Sequence, residues 1–231
     1  MKNIEEKGDC SNCSIKVDCF GPLTDDELKI LDSTHVCIKY KKGEVILKQG
    51  SIVSQILYVK QGLTKVYKEI DDTNNFILNF SPSGTLIGLP SIFGKDVSPY
   101  SVTAVEDTII CSLGKSYIES FIQQNVKFAT AIITTINNCN LYNVGKIVSL
   151  TQKHLPGRIA EVLLLLSNDI YQSEEFYLSL TRKDIAEYTG MSVMSVVRIL
   201  KDFGADNIIK FSGKNLKILN MKSLIEISEK G

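Results

Sequence analysis

The spacing of apolar residues changes near residue 115, and this change constrains the fold more than any other sequence feature. From His35 to about Leu113 the sequence consists of short β-rich runs, such as EVILKQG and QILYVKQG, separated by glycines at positions suited to turns. Many short strands without intervening helices favour an antiparallel β domain. From Ser116 to about Thr151 the apolar residues instead follow a helical period.

The order of these patterns predicts an α+β chain with four segments. The sequence HLPG at 154–157 interrupts the helical pattern and indicates a hinge before a C-terminal domain. The predicted segments are an N-terminal cysteine segment (1–22), an antiparallel β-roll sensor domain (23–115), a long dimerisation helix (116–153) and a winged helix-turn-helix domain (154–231).

Composition places the chain among ordinary globular proteins. Its 231 residues are 44% hydrophobic and 23% charged, and the formal net charge is zero. No apolar run approaches the roughly 18 residues needed to cross a bilayer, and the opening MKNIEEKGDCSNC lacks the apolar core of a secretory signal. We therefore expect a cytoplasmic protein with no membrane partner.

The long helix carries a heptad-like seam. Its members fall at alternating steps of three and four residues, as in helices that pair with a copy of themselves. Two asparagines in mid-seam would fix the register and weaken the association. The alternative is a helix that packs only on its own β domain. The residues predicted to form the dimer interface are Val126, Ala129, Ile133, Ile136, Asn140, Asn143, Ile147 and Leu150.

The segment RKDIAEYTGMSVMSVVRILK, which begins at Arg182, has the internal spacing of a helix-turn-helix. Ala186 is small where the two helices would cross, and Gly190 can adopt the left-handed conformation that the turn requires. Thr181 and Ser192 are predicted to cap the first and the second helix. The runs IIKF and LKIL, joined by SGKN, predict a β-wing directly after the second helix.

The second helix is predicted to enter the major groove of DNA with its first residues foremost. Arg198 is the candidate for base reading, because a guanidinium matches guanine O6 and N7 with two hydrogen bonds, although it could instead clamp a phosphate. Val193 and Met194 can touch only apolar groups such as thymine methyls. Residues 181–222 contain eight basic and four acidic side chains, a modest basic footprint. The predicted DNA-contacting residues are Thr181, Lys183, Ser192, Val193, Met194, Ser195, Arg198 and Lys214.

Three of the six cysteines, Cys10, Cys13 and Cys19, are crowded into ten residues near the N-terminus. Because reducing conditions in the cytoplasm disfavour structural disulfides, this crowding indicates a metal or redox site before a disulfide. Cys37 and Cys139 are expected to behave as small buried apolar residues. No enzymatic activity is expected, since the chain has only two histidines, no phosphate-binding glycine loop and no nucleophile–base pair.

A β-rich domain, a long helix and a winged helix-turn-helix, in that order, resemble the CRP/FNR family of bacterial transcription regulators over nearly the whole chain. The likeness is carried by KKGEVILKQGSIVSQILYVKQGLTKVY in the β domain and by LTRKDIAEYTGMSVMSVVRILKDF in the C-terminal domain. The resemblance implies a β-roll like those that bind cyclic nucleotides, and a homodimer that binds a palindromic double-stranded promoter site. It also implies RNA polymerase as a partner.

Within that family the cysteines are similar to those of the oxygen-sensing FNR branch. The resemblance implies that Cys10, Cys13 and Cys19, spaced C-x2-C-x5-C, hold a [4Fe–4S] cluster together with Cys111 of the β domain. An intact cluster would then favour the dimer. Zinc, a thiol–disulfide switch or no metal at all remain open for the same cysteines, as does haem bound by His35 or His154.

Cyclic AMP is the other effector that the fold suggests. Cyclic-nucleotide-binding relatives offer a Glu to the ribose and an Arg-Ser pair to the phosphate, where this chain has Leu89 and Tyr100-Ser101. Without the guanidinium the phosphate loses its main electrostatic partner, so cyclic AMP is not expected to bind. Met194 similarly replaces the Glu with which relatives read cytosine, so the DNA target is not expected to be the standard palindrome of either branch.

Overall fold

The computed structural model describes residues 4–5, 20–71 and 74–231, with 4–5 described by their backbone alone. The described strands are β1 (Ile4–Glu5), β2 (Val36–Tyr40), β3 (Val45–Leu47), β4 (Gln55–Gln61), β5 (Leu63–Glu69), β6 (Asn75–Pro82), β7 (Leu86–Ile87), β8 (Ser101–Ala104), β9 (Thr108–Gly114), β10 (Glu175–Tyr177), β11 (Ile209–Ser212) and β12 (Asn215–Ile218). The described α-helices are α1 (Asp25–Thr34), α2 (Lys115–Gln124), α3 (Val126–Gln152), α4 (Leu155–Leu165), α5 (Arg182–Thr189), α6 (Val193–Ala205) and α7 (Met221–Lys230). A 3-10 turn spans Leu89–Ser91, and a π turn, Leu166–Ile170, extends α4.

The first nine strands form two antiparallel sheets among the described residues. Their strand orders are β1-β2-β9-β4-β7 and β3-β8-β5-β6. The turn between β4 and β5 requires glycine, because Gly62 has a φ of 98° and a Cβ there would lie 2.8 Å from the carbonyl oxygen of Asp107. The antiparallel β domain predicted from short runs and glycine turns is therefore confirmed.

The five-stranded sheet has a core on each face, as the alternation of side chains along a strand requires. On one face Val59 and Ile110 pack against Val66 and Val102 of the four-stranded sheet. The other face packs against α1, α2 and α3, and we call this cluster the helix-side core. Its buried members are Leu23, Leu31, Cys37, Ile56, Tyr58, Leu86, Leu89, Cys111, Leu113, Ile118, Phe121, Phe128 and Ile132.

The helical segment predicted over 116–153 is two helices, because the helix breaks at Asn125. The Asn125 side-chain Oδ1 accepts a hydrogen bond from the Phe128 backbone N–H at 3.1 Å and so begins α3. Its Nδ2 donates to the carbonyl oxygen of Pro22 at 3.0 Å and to the Glu27 carboxylate at 2.9 Å. Glu27 also closes a capping box with Thr24 at the start of α1.

The chain divides into two compact units, and the division falls inside α3. The first unit contains the described residues of 1–72 with 78–142, and the second contains those of 73–77 with 143–231. In the second unit α4, α5, α6 and α7 surround a core that includes Ile159, Leu163 and Ile185. A three-stranded sheet of order β10-β12-β11 completes this unit.

The predicted fold class is confirmed in its main parts: N-terminal antiparallel sheets, a long helix and a C-terminal winged helix-turn-helix. The sequence analysis predicted β11 and β12 as the wing and did not predict β10, which pairs with the other edge of β12. None of the described helices is both long and apolar enough to span a membrane.

Candidate DNA-binding surface and cysteine site

The helix-turn-helix is built by local hydrogen bonds that its sequence predicts. Thr181 Oγ1 accepts from the Asp184 backbone N–H at 3.0 Å, and the Asp184 carboxylate accepts from the Thr181 N–H at 2.8 Å. Gly190 ends α5 in the left-handed conformation, with φ 64° and ψ 40°. Ser192 Oγ accepts from the Ser195 N–H at 3.1 Å and begins α6. Both predicted caps and the turn glycine are therefore confirmed.

The helix α6 has one face in the core and one face exposed. Its buried residues are Val196, Ile199, Leu200 and Phe203. Its exposed residues are Val193, Met194, Val197, Arg198, Lys201, Asp202, Gly204 and Ala205. Val197 is absent from the predicted contacts, although it lies three residues after Met194 and four after Val193, which is the spacing of one helix face. Three apolar side chains therefore flank one guanidinium on the exposed surface, with Met194 77% exposed.

Positive charge on this unit is distributed unevenly. Arg198 is exposed and forms no ion pair with any residue that the structure describes. Lys214 lies at the exposed tip of the β11–β12 hairpin, with its Nζ 5.8 Å from the centre of the Tyr177 ring. By contrast, Lys183 lies 3.6 Å from the Glu187 carboxylate, which partly neutralises it. Arg198 and Lys214 thus present more available charge than Lys183 does.

The hydroxyl groups predicted to contact DNA already have partners within the chain. Thr181 Oγ1 donates to the Asp184 carboxylate at 2.6 Å, and the hydroxyls of Ser192 and Ser195 lie 3.0 Å apart. Ser195 is also half-buried, whereas Thr181 and Ser192 are exposed. These groups hold the motif together, and a hydroxyl retains further lone pairs with which it can meet DNA.

The predicted seam on α3 is only partly exposed. Val126, Ile133, Asn140, Asn143 and Ile147 are exposed, whereas Ala129, Ile136 and Leu150 are half-buried. Ile136 packs on the helix-side core, and Leu150 lies beside Gly190. Leu141, Val144 and Val148 are exposed apolar residues outside the predicted seam. The exposed apolar face is therefore centred near Val144. The sequence pattern that could have predicted this face is the run of three- and four-residue steps through Leu141, Val144 and Val148.

Cys111 lies opposite Cys37, in the direct pairing of β9 with β2. The two cysteines form a disulfide, their Cα atoms are 4.1 Å apart, and both side chains belong to the helix-side core. Cys37 is buried as expected, but it is bonded rather than a free apolar residue. Cys139, expected to be buried, is instead an exposed free thiol. Cys10, Cys13 and Cys19 lie outside the described residues.

Both ends of the segment that contains these three cysteines contact the neighbourhood of Cys111. Before the segment, Glu5 of β1 pairs with Cys37 of β2. After it, Phe20 packs on the helix-side core with its ring 6.2 Å from the ring of Tyr58, which is the partner of Cys111 in the β4–β9 pairing. A [4Fe–4S] cluster takes four thiolates. The donor set fits such a cluster when Cys111 is a free thiol, and it falls one thiolate short when Cys111 is bonded to Cys37.

The residues at the positions that bind nucleotide in relatives are occupied by internal contacts. The Tyr100 hydroxyl accepts a hydrogen bond from the Gly88 N–H at 3.2 Å, and burial raises the pKa of this phenol. The Ser101 hydroxyl donates to the Glu69 carboxylate at 2.5 Å, and Leu89 is buried. A carboxylate beside Ser101 is an unfavourable neighbour for an anionic phosphate.

The two histidines differ in their surroundings. His35 is buried, and its Nδ1 lies 3.0 Å from the carbonyl oxygen of Leu31. His154 is exposed and precedes the first turn of α4. The structure therefore holds the His35 ring inside the first unit, where one nitrogen is already engaged by the backbone.

Two known families match separate parts of the chain. The family described as "Cyclic nucleotide-binding domain" matches residues 37–125. The family described as "Crp-like helix-turn-helix domain" matches residues 157–227.

Individual relatives match nearly the whole chain. The chain is 28% identical over 227 residues to the "Fumarate and nitrate reduction regulatory protein" of Vibrio cholerae, which covers 95% of this chain and 90% of the relative. It is 27% identical to the "Anaerobic regulatory protein" of Aggregatibacter actinomycetemcomitans, with 95% and 87% covered. The solved structure of FixK2 from Bradyrhizobium japonicum superposes with a TM-score of 0.78 at 22% identity, over 84% of this chain and 97% of FixK2. The chain therefore belongs to the CRP/FNR family of transcription regulators.

Proposed function

We propose that the chain binds a palindromic double-stranded promoter site as a homodimer, and that Cys10, Cys13, Cys19 and Cys111 hold a [4Fe–4S] cluster that makes binding responsive to oxygen or redox state. The observation that carries the cluster assignment is that β1 and Phe20, at the two ends of the cysteine segment, contact the strands and core around Cys111. The names of the relatives support a signal connected with anaerobic growth.

DNA recognition is assigned to the exposed face of α6. Arg198 reads a guanine through two hydrogen bonds, and the apolar side chains beside it contact thymine methyls. Lys214 of the wing, Lys183 and the hydroxyl of Thr181 contact phosphates, which positions the domain without specifying sequence. A regulator bound in this way at a promoter takes RNA polymerase as its further partner.

Dimerisation is assigned to the exposed apolar face of α3. Ile133, Val144 and Ile147 would pair with their counterparts on a second chain, with Asn140 among them to fix the register. A two-fold pair of reading helices explains why the target would be a palindrome.

The cysteine site is connected to this helix through the helix-side core. Cys111 belongs to the same packed cluster as Phe128 and Ile132, both on the first turns of α3. When bound, an iron–sulfur cluster supplies a group that oxygen or nitric oxide can destroy. Because protein interiors are close-packed, a change in the bonding of Cys111 would alter the packing under α3. It would thereby change how well α3 pairs with α3 of a second chain.

Anaerobic purification followed by iron, sulfide and zinc analysis tests the cluster. We expect iron and sulfide in the wild-type protein and in Cys139→Ala, which removes the exposed free thiol, and their loss in Cys111→Ala. Zinc at one ion per chain, or specific DNA binding unaltered in metal-free protein, would contradict the cluster assignment. A gel shift with genomic fragments tests DNA binding separately, and the absence of any sequence preference would contradict the assignment of α6.

A further inference from the structure

We infer that Cys37 and Cys111 form a reversible redox site, oxidised by a hydroperoxide and reduced by a dithiol, and that its disulfide form blocks loading of the iron–sulfur cluster. The effect on cluster loading rests on the proposed function. The formation of the disulfide rests on the pairing of β2 with β9. Nothing in the cysteine spacing near the N-terminus pointed to Cys37 as a partner.

The sheet holds the two sulfur-bearing side chains together whether or not they are bonded. Residues Val36–Tyr40 pair one to one with Ser112–Thr108, and Cys37 and Cys111 are one such pair with Cα atoms 4.1 Å apart. This spacing is that of the close, non-hydrogen-bonded pairs of an antiparallel ladder, in which side chains on one face approach each other. Because the ladder itself fixes both strands, the bond can form and break by side-chain rotation alone.

Burial decides which oxidant and which thiol react first. Cys37 is 1% exposed and Cys111 is 6% exposed, so a small hydroperoxide is a better fit than a bulky disulfide. Cys111 attacks the hydroperoxide, which breaks the O–O bond and gives a sulfenic acid at Cys111 and hydroxide or alkoxide. Cys37 then displaces the sulfenic oxygen as water and forms the S–S bond. In total two thiols and one hydrogen peroxide yield one disulfide and two waters.

Reduction returns the same atoms by thiol–disulfide exchange. A dithiol attacks one sulfur to give a mixed disulfide, and its second thiol then releases both protein thiols and leaves as the oxidised dithiol. The reaction restores the free thiol of Cys111 without any change in strand pairing.

The two forms differ in the number of sulfur ligands that the chain can offer. In the disulfide form the sulfur of Cys111 is bonded to the sulfur of Cys37 and is not a thiolate, so only three of the four proposed ligands remain. In the dithiol form all four are available. Cys37 therefore competes with the cluster for the sulfur of Cys111. Oxidation of the pair would keep the apo protein from loading a cluster even after iron and sulfide return.

The test measures the disulfide and the iron on the same samples of full-length apo protein. Aliquots are held in a series of glutathione redox buffers until the linked fraction is constant, because the buried pair reacts slowly with a bulky disulfide. They are then supplied with ferrous iron and sulfide under anaerobic conditions. Free thiols are then blocked with N-ethylmaleimide, and the Cys37–Cys111 linked peptide is quantified by mass spectrometry. The wild type is compared with Cys37→Ala and with the matched control Cys139→Ala, and far-UV circular dichroism checks that each variant is folded.

We expect iron per chain in the wild type and in Cys139→Ala to fall about tenfold as the linked fraction rises from about a tenth to about nine tenths, because four thiolates are needed. Cys37→Ala should keep its iron in buffers where the wild type has lost it. Hydrogen peroxide should produce the linked peptide in the wild type, and a dithiol should remove it.

Three results would overturn the inference. The linked peptide is never found, or it resists dithiols, in which case the pair is not a reversible site. Alternatively, wild type and Cys37→Ala lose iron in the same buffer, which would assign the loss to the N-terminal cysteines. If no variant binds iron in any buffer while the linked peptide forms reversibly, the cluster assignment itself fails and the proposed coupling fails with it.

Discussion

The ammonium nitrogen of Lys146, on α3, lies 3.5 Å from the centre of the Tyr188 ring on α5. The ring of Phe76, also in the second unit, lies 5.0 Å away. Burial lowers the pKa of Lys146 to about 7, and the carboxylate of Glu161 offsets this effect only in part. Because α5 is the first helix of the helix-turn-helix, the contact between that motif and α3 includes a group that titrates, the Lys146 ammonium.

The stability of the second unit should therefore depend on pH. The pKa of Lys146 is about 7 when folded and has its ordinary value of 10.5 when unfolded, so between these values the unfolded chain binds more protons. The free energy of unfolding should rise with pH across this window, by at most about 1.4 kcal/mol per pH unit, and fall again as the pH returns to 7.

Denaturant unfolding at a series of pH values above neutrality measures this dependence. Lys146→Met should remove the slope, and Lys222→Met, which changes an exposed lysine of α7, should keep it. An equal slope in wild type and Lys146→Met would show that another group titrates.

Replacing Arg198 should remove sequence discrimination before it removes DNA binding. Arg198→Ala loses the two parallel hydrogen bonds to guanine, at a cost of about 1–3 kcal/mol, or about fivefold to 150-fold in specific affinity. Arg198→Lys loses the planar fork that makes these bonds parallel and should also weaken specific binding. Weak non-specific binding through phosphates should persist. Titration of a selected site and of a scrambled duplex measures both terms, and a Lys variant that binds the selected site like wild type would reassign Arg198 to a phosphate.

Contacts from the exposed apolar residues of α6 can be tested by changing the DNA and leaving the protein unchanged. If Val193, Met194 and Val197 contact thymine methyls, replacing one contacted thymine by uracil should weaken binding about fourfold, since one buried methyl contributes about 0.8 kcal/mol. Uracil at positions outside the footprint serves as the control. Val197→Ala should reduce the uracil effect at one position only, and uniform affinity across all substituted sites would exclude apolar readout.

The centre of the exposed α3 face can be located with two acidic substitutions. Val144→Asp places a charge among exposed apolar residues and should convert the dimer to monomer, because two like charges would meet across the two-fold axis. Asn143→Asp lies at the edge of that face and should have a smaller effect. Sedimentation at several concentrations measures both, and a stronger effect of Asn143→Asp would favour the seam predicted from sequence.

Local structure was the part of this molecule that sequence could predict. The caps at Thr181 and Ser192 and the left-handed Gly190 depend on residues within four positions of each other, so short-range rules identify them. The family assignment from the motifs of the β domain and the C-terminal helix-turn-helix domain is also confirmed.

Long-range partners were beyond those rules. The pairing of Cys37 with Cys111 depends on the register of strands whose cysteines are 74 residues apart, and register is set by the whole sheet rather than by either strand. The break at Asn125 was not predicted, although Asn125 caps α3 through the Phe128 N–H, three residues on; only its contact with Pro22 is long-range. Ile136 matched a dimer seam by spacing, yet spacing alone cannot tell a partner chain from the helix-side core.

The amide of Asn125 gives the N-terminal segment a direct mechanical connection to the helix that would carry the dimer. One side-chain group holds the Pro22 carbonyl, the Glu27 carboxylate and the Phe128 N–H in the first turn of α3 together. A displacement of the backbone at Pro22 would therefore break or lengthen the hydrogen bond to Asn125, or move the first turn of α3 with it. The start of α3 is thus tied to Pro22 and Glu27 by contacts that involve neither Cys37 nor Cys111.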